Sequence, residues 1–182
     1  AGGNQIFNIG FENTESEFVV GMTNSVEVEI NWLLPLLRLM EQVEDAAIVQ
    51  PVHLTPLGIV ENAGIYFQEP MMHHMNYGCG EPLQRWLHIR PVDAVGFCCV
   101  LFRRSAVYPL PTDYYIGFGG FEDVDTCFQL RKKGWKIYYC GYSSVYHHTL
   151  ATTGAPNTWS EKKAKEYDEN RFRFLTRWAN WG

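Results

Sequence analysis

Two stretches of the chain repeat the order strand, helix, strand, and this repetition constrains the fold more than any other feature of the sequence. Strands are predicted at residues 18–20, 47–52, 92–104 and 135–141, with a final extended segment at 143–154, and helices at residues 32–46 and 122–133. Strands that alternate with helices in this way are typical of α/β folds. We therefore expect a mixed sheet flanked by helices.

The composition excludes several classes of protein. At 182 residues the chain is long enough for one domain, and 46% apolar and 15% aromatic residues favour a packed core over disorder. The net charge of −5 argues against nucleic acid as a partner, because no overall basic field is present to attract phosphates. Without an apolar run of roughly 20 residues or a signal-peptide pattern, the sequence predicts a cytoplasmic location, either free or at a membrane surface.

The second predicted helix begins with three carboxylates in the run GFGGFEDVDTCFQLRKKG. Glu122, Asp123 and Asp125 lie almost side by side, and such like charges repel one another unless they cap a helix, bind a cation or carry out acid–base chemistry. Acidic residues suit the first turn of a helix, which is one explanation. A glycine turn that delivers carboxylates to a defined point of a scaffold is also how a general base is presented.

The pattern around this helix resembles the C-terminal half of the inverting, GT-A type glycosyltransferases of family 2. The residues that carry the resemblance are Gly96, Arg103 and Arg104, then Glu122, Asp123 and Asp125, then Leu130, Arg131 and Gly134, then Val145, His147 and His148, and finally the closing segment NRFRFLTRW. Together with the strand and helix near the start of the chain, the resemblance covers residues 17–178, and residues 54–91 match least well. It implies a GT-A-like fold, that of the nucleotide-diphospho-sugar transferases.

The resemblance also implies an activity. Members of the family move a sugar from a nucleotide-sugar donor onto a carbohydrate-type acceptor, as in polysaccharide biosynthesis, and invert the sugar's anomeric configuration. By this comparison Asp123 is the base that takes the acceptor's proton, and Glu122 is the competing assignment. Asp125 is expected to cap the helix or to orient a neighbour.

The donor site implied by the resemblance comprises Thr23, Asn24 and Ser25 together with Gly96. Family members use carboxylates at the position of residues 23–25 to hold Mn²⁺ or Mg²⁺, and His147, or alternatively His148, would complete the metal shell. This chain has two hydroxyls and an amide there, which bind a hard cation weakly. Adjacent histidines at the end of a strand can equally form a polar rim with no ligand role.

The domain organisation predicted from the sequence is a single glycosyltransferase-like domain over residues 1–182. Residues 160–182 are expected to form a C-terminal amphipathic helix, with Phe172, Leu175 and Trp178 on one side. The residues before the first strand are too few to hold the βαβ units that bind nucleotides in such folds. We therefore expect the N-terminal nucleotide-binding portion to be lacking, and a second segment or chain to complete the domain.

Two other functions remain open at the level of sequence. The first is a non-catalytic carbohydrate- or partner-binding module with a degenerate donor site, which residues 23–25 favour. The second is a metal-dependent hydrolase, which requires a transition-metal site that no histidine or cysteine spacing in the sequence supports. Four cysteines, Cys98, Cys99, Cys127 and Cys140, are predicted to be small buried apolar residues in a reducing compartment.

Overall fold

The structure is a computed structural model that describes residues 3–68, 73–117, 120–148 and 158–179. Its helices are α1 (Gly3–Glu12), α2 (Leu33–Gln42), α3 (Arg104–Val107), α4 (Glu122–Lys132) and α5 (Glu161–Trp178). Its strands are β1 (Phe18–Met22), β2 (Val26–Val28), β3 (Ala46–Leu54), β4 (Val60–Asn62), β5 (Ile65–Gln68), β6 (His73–Asn76), β7 (Ile89–Pro91), β8 (Cys99–Arg103) and β9 (Lys136–His147).

Within the described residues, seven strands form one mixed sheet. Its central order is β1-β8-β3-β9-β2, with β4 paired to β3 and β7 paired to β9. The pair of β3 and β9 is parallel and the other pairs are antiparallel. β5 and β6 form a separate antiparallel hairpin. The mixed sheet flanked by helices confirms the fold class predicted from the sequence.

The sheet buries both of its faces, and strand β8 shows how. Val100 and Phe102 point into a large core shared with residues of α1, α4 and α5, while Leu101 points to the opposite face and packs with α2. This alternation follows from the two-residue period of a strand. All nine residues of β3 are buried, as expected for a central strand covered by helices on both sides.

Strand β8 is shorter than predicted. Residues 92–98 do not belong to it, because their backbone groups bond to several different elements instead of one neighbouring strand. The Val92 amide donates to Ile137 O, the Ala94 amide bonds to Ile65 O, and the Gly96 amide donates to the side chain of Gln50. This segment, called the crossing segment below, therefore runs from β7 to β8 while it contacts β9, β5 and β3, and it brings Gly96 next to Gln50.

The strand predicted at 135–141 and the start of the extended segment predicted at 143–154 form one strand, β9, with an irregularity in its middle, and residues 149–154 of that prediction lie outside the described residues. Its register against β3 jumps from Pro51 opposite Cys140 to Val52 opposite Ser144. Gly141 lies in this irregularity, and its amide donates to His88 O at 2.8 Å. A Cβ at Gly141 would lie 1.8 Å from Trp86 O, so only glycine allows the chain to pass.

A C-terminal helix, α5, covers Glu161–Trp178 of the predicted 160–182, and residues 180–182 lie outside the described residues. Its buried face differs from the prediction. Phe172 is 70% exposed, whereas Phe174 and Trp178 are buried in the core beside α4. The prediction for Phe172 was wrong because aromatic character alone does not fix the rotation of a helix. Within the described residues, no helix combines the length and the apolar character needed to cross a bilayer.

Helix α1 was not predicted. It supplies the contacts of Arg104, one of the two arginines at the end of β8. The Arg104 guanidinium donates to the carbonyls of Phe11 and Thr14, next to the end of α1. The Arg103 guanidinium is buried and donates to carbonyls at the end of α2 and the start of β3, with Met40 O at 2.6 Å. Neither arginine is a solvated strand end, since both fasten helices to the sheet.

Candidate functional site

Helix α4 starts from a turn of unusual backbone geometry. Gly120 has φ of 90° and Phe121, the residue before the helix, has φ of 73°, both in the left-handed region. Phe121 is also buried against α5, where its ring lies 5.5 Å from that of Phe174. This burial holds a non-glycine residue in a conformation that side chains normally avoid.

The turn sends the three carboxylates of the acidic motif to three different places. Asp125 is 1% exposed and lies inside the protein. Glu122 lines a cavity of about 290 Å³ together with the first residues of α1. Asp123 faces the crossing segment that contains Gly96. The motif is therefore not one acidic cluster, and each of its members needs its own explanation.

Asp125 joins α4 to the end of α5. One of its oxygens accepts a hydrogen bond from Trp178 Nε1 at 2.6 Å, and the other accepts from Arg177 and from Gln129, each at 2.7 Å. Asp125 does not cap the helix. It orients Arg177 and Trp178, the second of the two roles expected for it.

Glu122 is held by the turn that precedes it. Its Oε2 accepts a hydrogen bond from the Gly120 amide at 2.6 Å. Burial, followed by the negative charge of Asp123, raises the pKa of Glu122. The cavity that Glu122 lines is also lined by Asn4 and Tyr115, and neither Gly96 nor the predicted donor residues line it.

Asp123 lies against Gly96, as two residues of one site would. A Cβ built at Gly96 would lie 3.9 Å from Asp123 Oδ2, while Oδ1 accepts from the Val124 amide at 2.8 Å. The Gly96 amide in turn donates to Gln50 Oε1 at 3.1 Å, and Gln50 is buried in β3. Of the two candidate bases, Asp123 is therefore the one beside the predicted donor residue.

The other predicted donor residues form a turn at the end of β1. The Thr23 amide donates to Cys98 O at 2.8 Å, and the Thr23 and Ser25 hydroxyls are 2.9 Å apart. The His148 amide donates to Ser25 O at 2.8 Å. The Cα atoms of Cys98 and Gly96 are no more than ~7 Å apart, because the two residues are two positions apart in the chain. The turn, which bonds to Cys98, therefore lies near Gly96. Asn24 lies in the same turn.

A group of potential metal ligands lies beside this turn. One side-chain ligand atom each from His53, Cys98 and His147 lies within 4.8 Å of the other two. His147 Nδ1 is 2.8 Å from Glu61 Oε2, and His53 Nε2 is 3.2 Å from Cys99 O. The group joins three elements, β3, the crossing segment and the end of β9, with Glu61 supplied by β4.

The two histidines of this group differ in electrostatic environment. Complete burial lowers the pKa of His53 to about 4. Hydrogen bonds with Cys98 and Glu61 raise the pKa of His147 to about 10. His148, the alternative ligand in the sequence prediction, lies outside the group and instead contacts Glu27 at 3.3 Å on the surface.

Sequence reasoning missed His53, Cys98 and Glu61. The ligand spacings of 45 and 49 residues between His53, Cys98 and His147 match no short motif. The one available signal was a histidine inside AAIVQPVHL, a strand that is otherwise nearly all apolar. Cys98 was predicted to be a buried apolar residue, but it is only half-buried and its Sγ faces two histidines. The other three cysteines of that prediction, Cys99, Cys127 and Cys140, are buried.

The donor set at this edge does not fit Mn²⁺ or Mg²⁺. These hard cations prefer carboxylate and water oxygens, whereas the turn offers the hydroxyls and amide of Thr23, Asn24 and Ser25. The nearby carboxylates Glu27 and Glu61 are each paired with a histidine. The neighbouring ligands are two imidazoles and a thiol, which are borderline to soft.

Another cavity lies elsewhere in the structure. It has a volume of about 580 Å³ and opens between α2 and the second half of β9, where Trp32, Arg38 and Tyr142 line it. This is the face of the sheet opposite to α4. Asp123 and His147 do not line it, so the cavity and the predicted site are separate features of the surface.

Comparison with known proteins supports the fold. No protein-family model and no curated protein matches the sequence. The chain is similar to the crystal structure of GalNAc-T7 with UDP, GalNAc and Mn²⁺, with a TM-score of 0.66 and 16% sequence identity over 92% of this chain. It spans 34% of the length of that structure. The structure of A197 from STIV is also similar, with a TM-score of 0.47 and 12% identity over 78% of this chain and 62% of that one. The first likeness shows the GT-A-type fold that the sequence predicted.

Proposed function

We propose that this chain is part of a glycosyltransferase that moves a sugar from a nucleotide-sugar donor to a glycan acceptor. One observation carries the proposal: Asp123 faces Gly96, and the Thr23–Ser25 turn meets the same crossing segment two residues further on, at Cys98. The proposal takes Asp123 as the base and residues 23–25 as the donor-binding turn, and the contacts of both with residues 96–98 support it. The similar structure of GalNAc-T7 contains UDP and GalNAc, which is consistent with a nucleotide-sugar donor.

In the proposed reaction Asp123 is the general base. Its Oδ2 takes the proton of the acceptor hydroxyl while that oxygen forms a bond to the anomeric carbon. The bond between the anomeric carbon and the diphosphate oxygen breaks, and its electron pair leaves with the diphosphate. Hydrogen bonds from Thr23, Asn24 and Ser25 would stabilise the departing charge. Attack from the face opposite to the leaving group inverts the anomeric configuration, as in the family 2 enzymes.

Glu122 is the less suitable base in this proposal. Its carboxylate accepts from the Gly120 amide and lies in the cavity beside α1, away from Gly96. Its raised pKa makes it more basic, but a base must first be within reach of the proton that it removes. The position of Asp123 beside Gly96 is the reason we assign the base to it.

The experiment compares nucleotide binding and sugar transfer in matched variants. Calorimetric titration with UDP, GDP and dTDP is expected to identify one nucleotide that binds, and transfer is then measured with the corresponding sugar donors. Asp123→Asn is expected to reduce transfer by roughly 10²–10⁴-fold while leaving nucleotide binding unchanged. Glu122→Gln is expected to have a much smaller effect, and Asp168→Asn, an exposed change on α5, is the control.

The anomeric configuration of the product tests the inverting mechanism. A proton NMR spectrum of the first product formed is expected to show the configuration opposite to that of the donor. Retention would contradict the role of Asp123 as a base acting on the acceptor in a single displacement. Full transfer by Asp123→Asn would contradict it independently.

The second candidate function is a non-catalytic carbohydrate- or partner-binding module. The lack of a carboxylate in Thr23–Asn24–Ser25 favours it, because this turn would hold a metal–diphosphate poorly. It predicts glycan binding without binding of any of the three nucleotides.

The glycosyltransferase proposal also includes a second segment or chain that completes the nucleotide-binding half. Nucleotide binding that appears only in a longer form of the protein would support that part.

A further inference from the structure

We propose that His53, Cys98 and His147 form a site for a borderline or soft metal ion such as Zn²⁺, in place of the Mn²⁺ or Mg²⁺ site implied by the resemblance. The proposal concerns metal binding alone and does not depend on sugar transfer. Thr23, Asn24 and Ser25 offer hydroxyls and an amide, which a hard cation such as Mn²⁺ or Mg²⁺ binds weakly. Two imidazoles and a thiolate are among the preferred ligands of zinc.

The distances are compatible with one ion. The three ligand atoms lie within 4.8 Å of one another, and the rings of His53 and His147 have centroids 5.9 Å apart. Around a tetrahedral zinc such ligand atoms are roughly 3.3–3.6 Å apart, so metal binding requires each pair to approach by no more than about 1.5 Å. Side-chain rotations achieve shifts of this size.

The surroundings orient both histidines as metal ligands are usually oriented. The ring nitrogen that a histidine does not use for a metal normally donates to a carboxylate or a backbone carbonyl. Nδ1 of His147 meets the Glu61 carboxylate, and Nε2 of His53 meets the Cys99 carbonyl. This arrangement points Nδ1 of His53 and, once a metal ion has displaced its proton, Nε2 of His147 at the ion.

The environment also suits binding and exchange. His53 is fully enclosed, while Cys98 is half-buried and the His147 side chain is 13% exposed, so an ion can enter from the side of Cys98 and His147. Three protein ligands leave one of four tetrahedral positions for water or a ligand, as in catalytic zinc sites. That position would lie beside the Thr23 turn, which bonds to Cys98 O.

The test uses metal ions alone with the metal-free chain. Zn²⁺ is expected to bind in a one-to-one ratio and to raise the melting temperature. Co²⁺ is expected to give a thiolate-to-metal charge-transfer band. Cys98→Ser should remove that band and weaken zinc binding on the order of 100-fold, and Glu61→Gln should weaken it roughly 10–100-fold while keeping the band. Cys79→Ser, which changes an exposed free cysteine, is the matched control.

Alkylation gives a second measurement that does not depend on any variant folding. Modification of each thiol by iodoacetamide is followed by mass spectrometry, with and without Zn²⁺. Zinc is expected to protect Cys98 and not the exposed Cys79. The proposal is overturned if zinc does not bind, if cobalt binds without the thiolate band, if Cys98→Ser keeps full affinity, or if Mn²⁺ displaces zinc at equal concentration.

Discussion

Replacing Asp125 with alanine removes the carboxylate that fastens α5 to the helix carrying Asp123. The side chain is 2% exposed and accepts hydrogen bonds from Trp178 Nε1, Arg177 and Gln129. Because all three donors converge on one carboxylate, the substitution leaves each of them without its partner at the same time.

The magnitude of the effect follows from how each donor can respond. Trp178 is buried, so its N–H is left unsatisfied at a cost of about 1–3 kcal/mol. The Arg177 side chain is 31% exposed and Gln129 is partly exposed, so both side chains can turn towards water when Asp125 is removed. Each of these two hydrogen bonds therefore contributes what an exposed pair contributes, about 0–1 kcal/mol. We expect Asp125→Ala to lower the free energy of unfolding by roughly 2–4 kcal/mol.

Two further variants separate the effect of the Asp125 charge from the effect of an unrelated change on α5. Asp125→Asn keeps the shape and one oxygen acceptor but removes the charge, so it should cost less, roughly 1–2 kcal/mol. Asp168→Ala, an exposed change on the same helix α5, should stay within about 0.5 kcal/mol of the wild-type protein. The expected order of stability is wild type and Asp168→Ala, then Asp125→Asn, then Asp125→Ala.

Urea unfolding followed by circular dichroism measures these differences, with the midpoint as the primary quantity. Native-state hydrogen exchange then locates them, and the loss of protection should concentrate in residues 161–178 because α5 is the element released. If Asp125→Ala were as stable as Asp168→Ala, or if protection fell evenly over the whole chain, the reasoning would be refuted.

Two other predictions concern a titrating group and a glycine. Burial raises the pKa of Glu122 above its ordinary 4.5, so the native state binds this proton more tightly than the unfolded chain does, and stability is lost as pH rises from about 4.5. Thermal melts should show the advantage of Glu122→Gln over wild type growing between about pH 4 and pH 7, and an advantage that shrinks with pH would contradict this assignment. Gly141→Ala should destabilise the protein by about 1–3 kcal/mol in urea titrations, because its Cβ would lie 1.8 Å from Trp86 O. Gly10→Ala in α1, where no atom lies within 4 Å of the new Cβ, should not destabilise it, and equal losses in the two variants would be inconsistent with a steric cause.

The likeness to a solved structure at 16% identity shows that very different sequences can form this fold. The sheet depends on strands such as β3 and β8, in which every residue is buried, and many apolar sequences satisfy that requirement. A metal site depends on the few side chains at one edge, and here the turn after β1 holds Thr23, Asn24 and Ser25. The function of this chain therefore depends on the side chains around residues 23–25 and not on the sheet.

Local patterns in the sequence determined part of the secondary structure, including the acidic helix α4. Short apolar runs predicted β1 and β3, and the helical spacing of apolar residues predicted α2, α4 and α5. Gly134 closes α4 with φ of 91°, as its place after a basic last turn predicted. The acidic motif and the Thr23–Ser25 turn were identified for the same reason, since each is a short contiguous stretch.

Only the tertiary structure decided what those residues contact. It separated Glu122, Asp123 and Asp125, since the direction of each side chain depends on the turn before α4 and on the helices packed against it. It also joined His53, Cys98 and His147, which are far apart in the chain and meet because β3, β8 and β9 are neighbours in one sheet. Periodicity specifies which face of an element is buried, but it carries no information on which distant element will cover that face.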